Sequence, residues 1–207
     1  MLELRSNAEF VIFTTRDYAA ASGASMSSAS RHLDALAKRG AIVRVTKGIW
    51  ANTAHPHFHP LACVPYLLGK EQGYVSFLTA LHLHGMISQI PRTLQVATTG
   101  RPRVLDSPIG KFEFLRIKPE LMSDGVDWSD TYQPYLMASA EKALLDTLYI
   151  STRKNRRFVS LPELDMDGAF HRRKFDGLLN QLPYAVRIRS AIASRWQHLQ
   201  ESRGQFT

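Results

Sequence analysis

The segment that most constrains the fold is Ser25–Gly40, which carries the pattern of a short amphipathic helix with a signal at each end. Four apolar residues recur in it at helical spacing: Ala29, Leu33, Leu36 and Ala37. That spacing predicts a helix with one buried face. Ser25 or Ser27 can cap its N-terminus, and Gly40 tolerates the backbone angles that end a helix.

The remaining faces of this segment are polar at its N-terminal end. Ser28 and Ser30 supply hydroxyls, and Arg31 and His32 supply longer donors. This mixture suits contacts with phosphates and base edges. An ordinary amphipathic surface helix would show the same pattern, so the flanking segments must distinguish the two interpretations.

The residues before this segment predict a second, shorter helix. Phe10–Phe13 is an apolar run that could be a strand or the end of a buried helix. Thr14 and Asp17 resemble a capping box, and a helix over Thr15–Ser22 would end at Gly23. A helix, a short turn and another helix form the order of a helix-turn-helix motif, in which the second helix reads the groove.

The residues after the segment predict a β-hairpin. Ala41–Asn52 is rich in Ile and Val around a turn at Thr46–Gly48, whose glycine supplies the angles of a tight hairpin. A hairpin directly after the second helix is a wing, with Lys47 at its tip and Arg44 at its base. Trp50 is expected in the core.

We therefore predict an α+β protein whose residues 1–54 form a winged helix-turn-helix that binds double-stranded DNA. The predicted DNA contacts are Thr15, Arg16, Ser25, Ser27, Ser28, Ser30, Arg31, His32, Arg44 and Lys47.

The distribution of charge also favours an anionic partner. The net charge is +8, and it comes to +3 over residues 1–60, −1 over 61–150 and +6 over 151–207. Basic ends around a near-neutral middle fit nucleic acid, although many basic proteins bind nothing specific. Nine further cations are predicted as possible nucleic-acid or partner contacts: Arg101, Arg103, Arg153, Lys154, Arg156, Arg157, Arg172, Arg173 and Lys174.

Residues 55–60 are expected to be a linker, because Pro56 and Pro60 oppose a continuous helix or a central strand. His55, His57 and His59 alternate, so an extended chain would project all three to one side, where they could hold Zn²⁺ or Ni²⁺. Flexible linkers make poor metal sites, so we expect no metal and no cofactor.

Residues 61–207 are expected to form a mixed α/β C-terminal domain. One predicted helix lies within Tyr74–Ile87, with Ser76 as its N-cap and Gly85 as its stop, and another within Tyr135–Tyr149, which Ser139 can cap. The predicted strands cover Thr93–Thr99 and Gly110–Ile117. Between the second strand and the second helix, Lys118–Pro134 is polar and should be a surface connection. Lys142 and Asp146 have the spacing of an ordinary i,i+4 ion pair on a helix.

The sequence shows no phosphate-binding glycine loop, nucleophile elbow or zinc-protease motif, and we expect no enzymatic activity. Cys63 is the only cysteine, which excludes an intrachain disulfide. The start of the chain lacks an apolar signal core, and no apolar run reaches the length of a membrane span. A cytoplasmic protein without membrane contact is the expectation.

Several segments together resemble one family, the AbiEi-type antitoxins, which are the antitoxin and regulator half of bacterial type IV toxin–antitoxin systems. The similar segments are the winged helix ending at Lys47–Trp50, the helix Tyr74–Ile87, a hairpin at Thr98–Arg101 and Ala138–Asp146. Two departures are Ala140, where the family more often has Pro, and a short N-terminus before the apolar run.

The resemblance implies a DNA-binding autorepressor whose second domain counters a nucleotidyltransferase-like toxin, often without a stable toxin–antitoxin complex. Two other functions remain open from the residues alone. One is a one-component regulator whose C-terminal domain senses a ligand or metal, and the other is an enzyme acting on nucleic acid.

Overall fold

The computed structural model describes residues 10–153, 157–158 and 160–204, and over them the chain is a mixed α+β protein with two sheets and seven α-helices. The helices are α1 (Thr15–Ser22), α2 (Met26–Lys38), α3 (Val64–Leu68), α4 (Phe77–Leu83), α5 (Ala140–Ser151), α6 (Arg172–Gln181) and α7 (Val186–Gly204). The strands are β1 (Ile12–Thr14), β2 (Val43–Thr46), β3 (Ile49–Ala51), β4 (Gly73–Val75), β5 (Leu94–Thr98), β6 (Arg103–Ser107), β7 (Gly110–Arg116), β8 (Val126–Trp128) and β9 (Leu136–Ala138). None of these helices is long and apolar enough to cross a lipid bilayer.

The first sheet has three antiparallel strands in the order β1-β3-β2. Strands β2 and β3 form the predicted hairpin, and Gly48 at its turn has a φ of 78°, which a residue without a Cβ adopts at little cost. The apolar run Phe10–Phe13 leads into β1, so the strand alternative for that run is the correct one. Helices α1 and α2 follow β1 with the bounds that their capping residues predict.

This small sheet is covered on both faces. Phe13 and Trp50 face a cluster under α2 that includes Ala29 and Leu33. Other side chains from the same strands, together with the preceding Val11, belong to a second cluster, which they share with the larger sheet: Ile12, Val45 and Ala51. Since strands place alternate residues on opposite faces, three short strands suffice to join the two clusters.

The second sheet has six strands in the order β6-β7-β5-β4-β9-β8 and mixes parallel and antiparallel pairs. Strand β5 runs parallel to β7, and β4 runs parallel to β9. Strand β6 pairs with β7 and does not contact β5 through backbone hydrogen bonds. The expected hairpin at Thr98–Arg101 is therefore wrong. After β5 the chain forms the edge strand β6, two positions away in the sheet, and then turns back as β7 between β6 and β5.

The helix starts predicted from Ser76 and Ser139 are correct, but the residues before each of them form a strand. Gly73–Val75 pairs with β5, and the helix then starts at Phe77, whose φ of 56° turns the chain sharply after Ser76. Leu136–Ala138 pairs with β8, and α5 starts after Ser139, whose side chain accepts the Lys142 N–H. Lys118–Pro134, expected as a connection without regular structure, contains strand β8.

The expected linker at residues 55–60 is packed against the rest of the protein. His55 is buried, and its Nδ1 accepts the His57 N–H at 3.2 Å. The His57 ring stacks on Tyr132 with 4.2 Å between centroids, and the His59 ring stacks on Tyr135. The boundaries of the two predicted domains stay a prediction, but the segment between them is not an extended tether.

Lys142 and Asp146 form a buried ion pair instead of the surface pair that their spacing suggested. Both side chains are fully buried, and the Lys142 Nζ donates to Asp146 Oδ1. The same ammonium donates to the Tyr74 hydroxyl at 2.7 Å. Tyr74 and Ser76 each donate to Asp146 Oδ2 at 2.9 Å. This network ties β4 and the start of α4 to α5.

The protonation of Tyr74 fits its role in this network. Burial, and then the nearby Asp146 carboxylate, raise the pKa of Tyr74 well above its ordinary value. The phenol therefore stays protonated at neutral pH and donates to the carboxylate while accepting from the ammonium. A fully hydrogen-bonded arrangement of this kind is what a buried ion pair needs to offset its desolvation.

We expect Lys142→Met to lower the free energy of unfolding by about 3–5 kcal/mol, because it leaves the Asp146 carboxylate buried without a countercharge. Urea denaturation at pH 7 measures this. The double variant Lys142→Met/Asp146→Leu should recover at least half of the loss, since it removes both charges. A double variant less stable than the single one would contradict the ion-pair explanation.

Candidate nucleic-acid interface

The outward side of α2 is a polar surface that the helix positions rigidly. Ser27, Arg31 and Lys38 follow one another at i, i+4 and i+11, and all three are exposed. They lie opposite Ala29 and Leu33, which are fully buried in the cluster below. Because that cluster fixes the buried face, the direction of the polar face is fixed as well.

The N-terminus of α2 presents a group of linked hydroxyls. Ser25 caps the helix by accepting the Ser28 N–H at 3.3 Å, and its Oγ lies 3.1 Å from the hydroxyls of Ser27 and Ser28. Arg31 donates to the Ser28 hydroxyl at 3.4 Å. The first turn of α2 contains no acidic residue, so the positive end of the helix dipole is not offset there. Such a helix end attracts phosphate.

His32 is exposed but held in place by α1. Its Nδ1 lies 2.6 Å from the Tyr18 hydroxyl, and the two rings are 5.6 Å apart. Tyr18 itself is buried against Phe10 and Phe13. The imidazole therefore has one nitrogen engaged inside the protein, and only Nε2 is left to meet a ligand.

The hairpin turn lies beside the start of α1. The Thr15 N–H donates to the Gly48 carbonyl at 3.0 Å, so the turn that carries Lys47 is joined to the first residue of the helix. Lys47 and Arg16 are both exposed. Lys47 of the hairpin and Arg16 of α1 are therefore each adjacent in the chain to one of the two residues that this hydrogen bond joins.

Arg44 has a partner on α2. Its guanidinium lies 3.4 Å from Asp34 and 5.1 Å from the centre of the Trp50 ring. Both members of the ion pair are almost half exposed, so the pair contributes little to stability. Arg44 braces the hairpin against α2 and keeps its head group in solvent.

Thr15, predicted to contact DNA, has a different position. It is buried, and its hydroxyl accepts the Trp50 Nε1–H at 2.9 Å. A buried indole N–H needs an acceptor, and Thr15 supplies it at the first residue of α1. Thr15 is therefore a positioning residue for the hairpin and does not belong to the exposed set.

The sequence prediction omitted Lys38 and Arg39, which are exposed at the C-terminal end of α2. Cations at this position also favour the negative end of the helix dipole. Lys38 is seven residues after Arg31, and this spacing places both on the same side of the helix. Extending the predicted polar face along the whole of α2 would have included Lys38 among the candidate contacts.

Several of the other candidate cations have partners inside the protein. Arg103 donates to Glu71 at 2.7 Å and lies 4.1 Å from the centre of the Phe114 ring. Arg153 stacks on Tyr149, and Arg157 pairs with the buried Glu113. Lys174 lies 3.4 Å from Glu141. Arg103 in particular is a structural residue of the sheet edge, which corrects its interpretation as a contact residue.

The rest of that group divides as follows. Arg101 and Arg173 are exposed, and Arg172 is exposed with Asp176 3.8 Å away. Lys154 and Arg156 lie outside the described residues. At the start of α6 the exposed cations are therefore the consecutive residues Arg172, Arg173 and Lys174, two of which have an acidic partner.

The alternating histidines do not converge on one point. His55 Nδ1 accepts the His57 N–H, and His59 Nδ1 accepts the Leu61 N–H. Within the part of the chain that the structure describes, no group of three His, Cys, Asp or Glu side chains could hold a metal ion.

Comparison of the chain with protein-family models and with curated proteins found no match.

We expect Thr15→Val to lower the free energy of unfolding by about 1–3 kcal/mol, because it leaves the Trp50 indole N–H buried without an acceptor. Thr15→Ser keeps the hydroxyl and should cost less than half as much. Denaturant unfolding of both variants gives the comparison. Equal losses would show that the hydrogen bond does not account for the position of Thr15.

Proposed function

We propose that this protein is a non-enzymatic, DNA-binding antitoxin and transcriptional autorepressor of the AbiEi type. Its N-terminal domain is a winged helix-turn-helix, in which α2 enters the major groove and the β2–β3 hairpin is the wing. The observation that carries the DNA-binding half is the exposed polar face of α2, opposite a fully buried apolar face and beside an exposed Lys47.

The proposed binding mode follows from the chemistry of each group. The hydroxyls at the N-terminus of α2 and its uncompensated helix dipole suit a phosphate. Arg31, one turn further on, has the planar donor pair that matches the edge of a guanine. Lys47 and Arg16 suit the backbone on the flank of the groove.

The same arrangement explains why the helix would hold its register on DNA. Tyr18 holds His32, Asp34 holds Arg44, and Trp50 holds Thr15, so α1, α2 and the hairpin are cross-linked by side chains. A rigid reading helix loses little conformational entropy on binding.

We expect Arg31→Ala and Lys47→Ala to weaken binding to the DNA upstream of the protein's own gene. Loss of a base contact at Arg31 should cost about 1–3 kcal/mol and relax sequence preference. Loss of a phosphate contact at Lys47 should lower the slope of log affinity against log salt by about one. Gel shifts over a salt series measure both effects.

Arg173→Ala is the matched control, since Arg173 is equally cationic and exposed but lies on α6. Its affinity and salt slope should equal those of the unaltered protein. Wild-type behaviour of the α2 and hairpin variants, with a loss in Arg173→Ala, would overturn the assignment of the interface.

The antitoxin half of the proposal is supported by the sequence resemblance of Tyr74–Ile87 and Ala138–Asp146 to the family. In the fold, these two segments contain β4, α4 and α5, which share the buried Lys142–Asp146 network. The proposed functional partner is a nucleotidyltransferase-like toxin encoded beside the protein, with or without a stable complex.

We expect co-expression of the protein to restore the growth of cells that express the neighbouring toxin gene. The double variant Arg31→Ala/Lys47→Ala should still rescue growth when expressed from an unrelated promoter, because the antidote activity is placed in the second half. Failure of the unaltered protein to rescue growth would reject the antitoxin half and leave the DNA-binding half standing.

A further inference from the structure

Strand β8 is an open edge of the six-stranded sheet. Among the residues that the structure describes, it pairs only with β9, which precedes α5. The Ser139 N–H donates to the Gly125 carbonyl, and the Ser129 N–H donates to the Tyr135 carbonyl. Hydrogen-bonded pairs alternate with non-hydrogen-bonded pairs along an antiparallel ladder, so Asp127 forms the hydrogen-bonded pair between these two. The backbone N–H and C=O groups of Val126 and Trp128 therefore point away from β9.

The edge carries an exposed aromatic side chain. Trp128 is 66% exposed, whereas the other two tryptophans, Trp50 and Trp196, are buried. The cross-strand neighbour of Trp128 is Leu136, so the two side chains lie on the same face of the sheet.

A cleft adjoins the same face. It has a volume of about 400 Å³, and Val126, Leu136, Met122 and Tyr74 contribute to its lining. Val126 and Leu136 are neighbours of Trp128 along and across the strands. If another strand paired with this edge, its apolar side chains on this face would therefore contact the Trp128 ring first and then the cleft.

The other face of the edge and its two ends are acidic. Asp127 alternates with Trp128 and is exposed, and Asp124 and Asp130 are exposed just before and just after the strand. Residues 119–134 contain four acidic residues and no Lys or Arg, in a chain of net charge +8. No ion pair joins these three aspartates to a cation among the described residues.

We propose that the β8 edge binds an extended, cationic segment of a partner protein by strand addition. The partner's backbone pairs with the outward groups of Val126 and Trp128. Its apolar side chains pack on Trp128 and the cleft, and its Lys or Arg side chains, on the alternate positions, meet Asp127, while Asp124 and Asp130 add negative charge at the two ends of the strand. The surface is independent of the α2 interface and excludes nucleic acid, because its charge repels phosphate.

A second copy of this chain is a poor occupant of the same edge. Two β8 strands pairing in antiparallel fashion would bring two sets of three aspartates together, and like charges directly opposite one another destabilise a sheet. Charged edges are a common way of preventing such self-pairing. A cationic strand would instead pair its positive charges with these aspartates.

Binding of a synthetic peptide tests the proposal. The probe is an acetylated peptide of about eight residues that alternates Arg with Val, titrated by calorimetry into the full chain at low and high salt. We expect binding that weakens with salt. The same peptide with Glu in place of Arg, or with alternate amide nitrogens methylated, should bind at least about tenfold more weakly.

Variants on the two edges of the sheet locate the contact. Trp128→Ala should weaken binding of the Arg peptide by about tenfold, and Asp127→Asn/Asp130→Asn by about fivefold. The matched control is Val104→Ala/Asp106→Asn, because Val104 and Asp106 are the exposed apolar and acidic residues of β6, the opposite edge. The control should bind like the unaltered protein.

Three outcomes would overturn the proposal: no binding of the Arg peptide, equal binding of the Glu peptide, or wild-type binding by the Trp128 and aspartate variants. Sedimentation of the same proteins tests whether a second copy of this chain occupies the β8 edge. A dimer that dissociates on Trp128→Ala would assign the edge to a second copy and would likewise overturn the proposal.

Discussion

Burial of the three-stranded sheet on both faces is the constraint on which the architecture depends. A unit of about fifty residues buries little apolar surface and is only marginally stable by itself. Here, Phe13 and Trp50 pack under α2, while Ile12 and Ala51 pack against the larger sheet. The Tyr66 hydroxyl adds a hydrogen bond to the Ile12 carbonyl at 3.0 Å. The N-terminal elements therefore take part of their stability from the residues that follow position 60.

This shared core has a consequence for the proposed function. The polar face of α2 and the second sheet are held by one continuous set of packed side chains that includes the supposed linker, where His55 is buried. A structural change at the second sheet would be transmitted to α2 through that packing. Under the proposed function, DNA would bind at α2 and the hairpin, the antidote activity would belong to the C-terminal elements, and the proposed partner would bind at the β8 edge of the same packed protein.

The sequence predicted best where local signals decide the structure. Caps at Thr14 and Ser25 and the turn at Gly48 gave α1, α2 and the hairpin. Ser76 and Ser139 likewise marked the starts of α4 and α5. Local signals did not identify β4 and β9 as strands, because a short apolar run fits a strand and a helix equally well. The burial of Lys142 and Thr15 was also missed, since it depends on partners that are distant in the chain.

Hydrogen exchange of the full protein, with and without its upstream DNA, tests the central claim that α2 is the DNA-contacting helix. The account predicts slower exchange at the N-terminal turn of α2 and at the Lys47–Gly48 turn, with α6 and β8 unchanged. Slower exchange on α6 and α7, with α2 unchanged, would contradict it and would place nucleic-acid binding on the basic C-terminal helices.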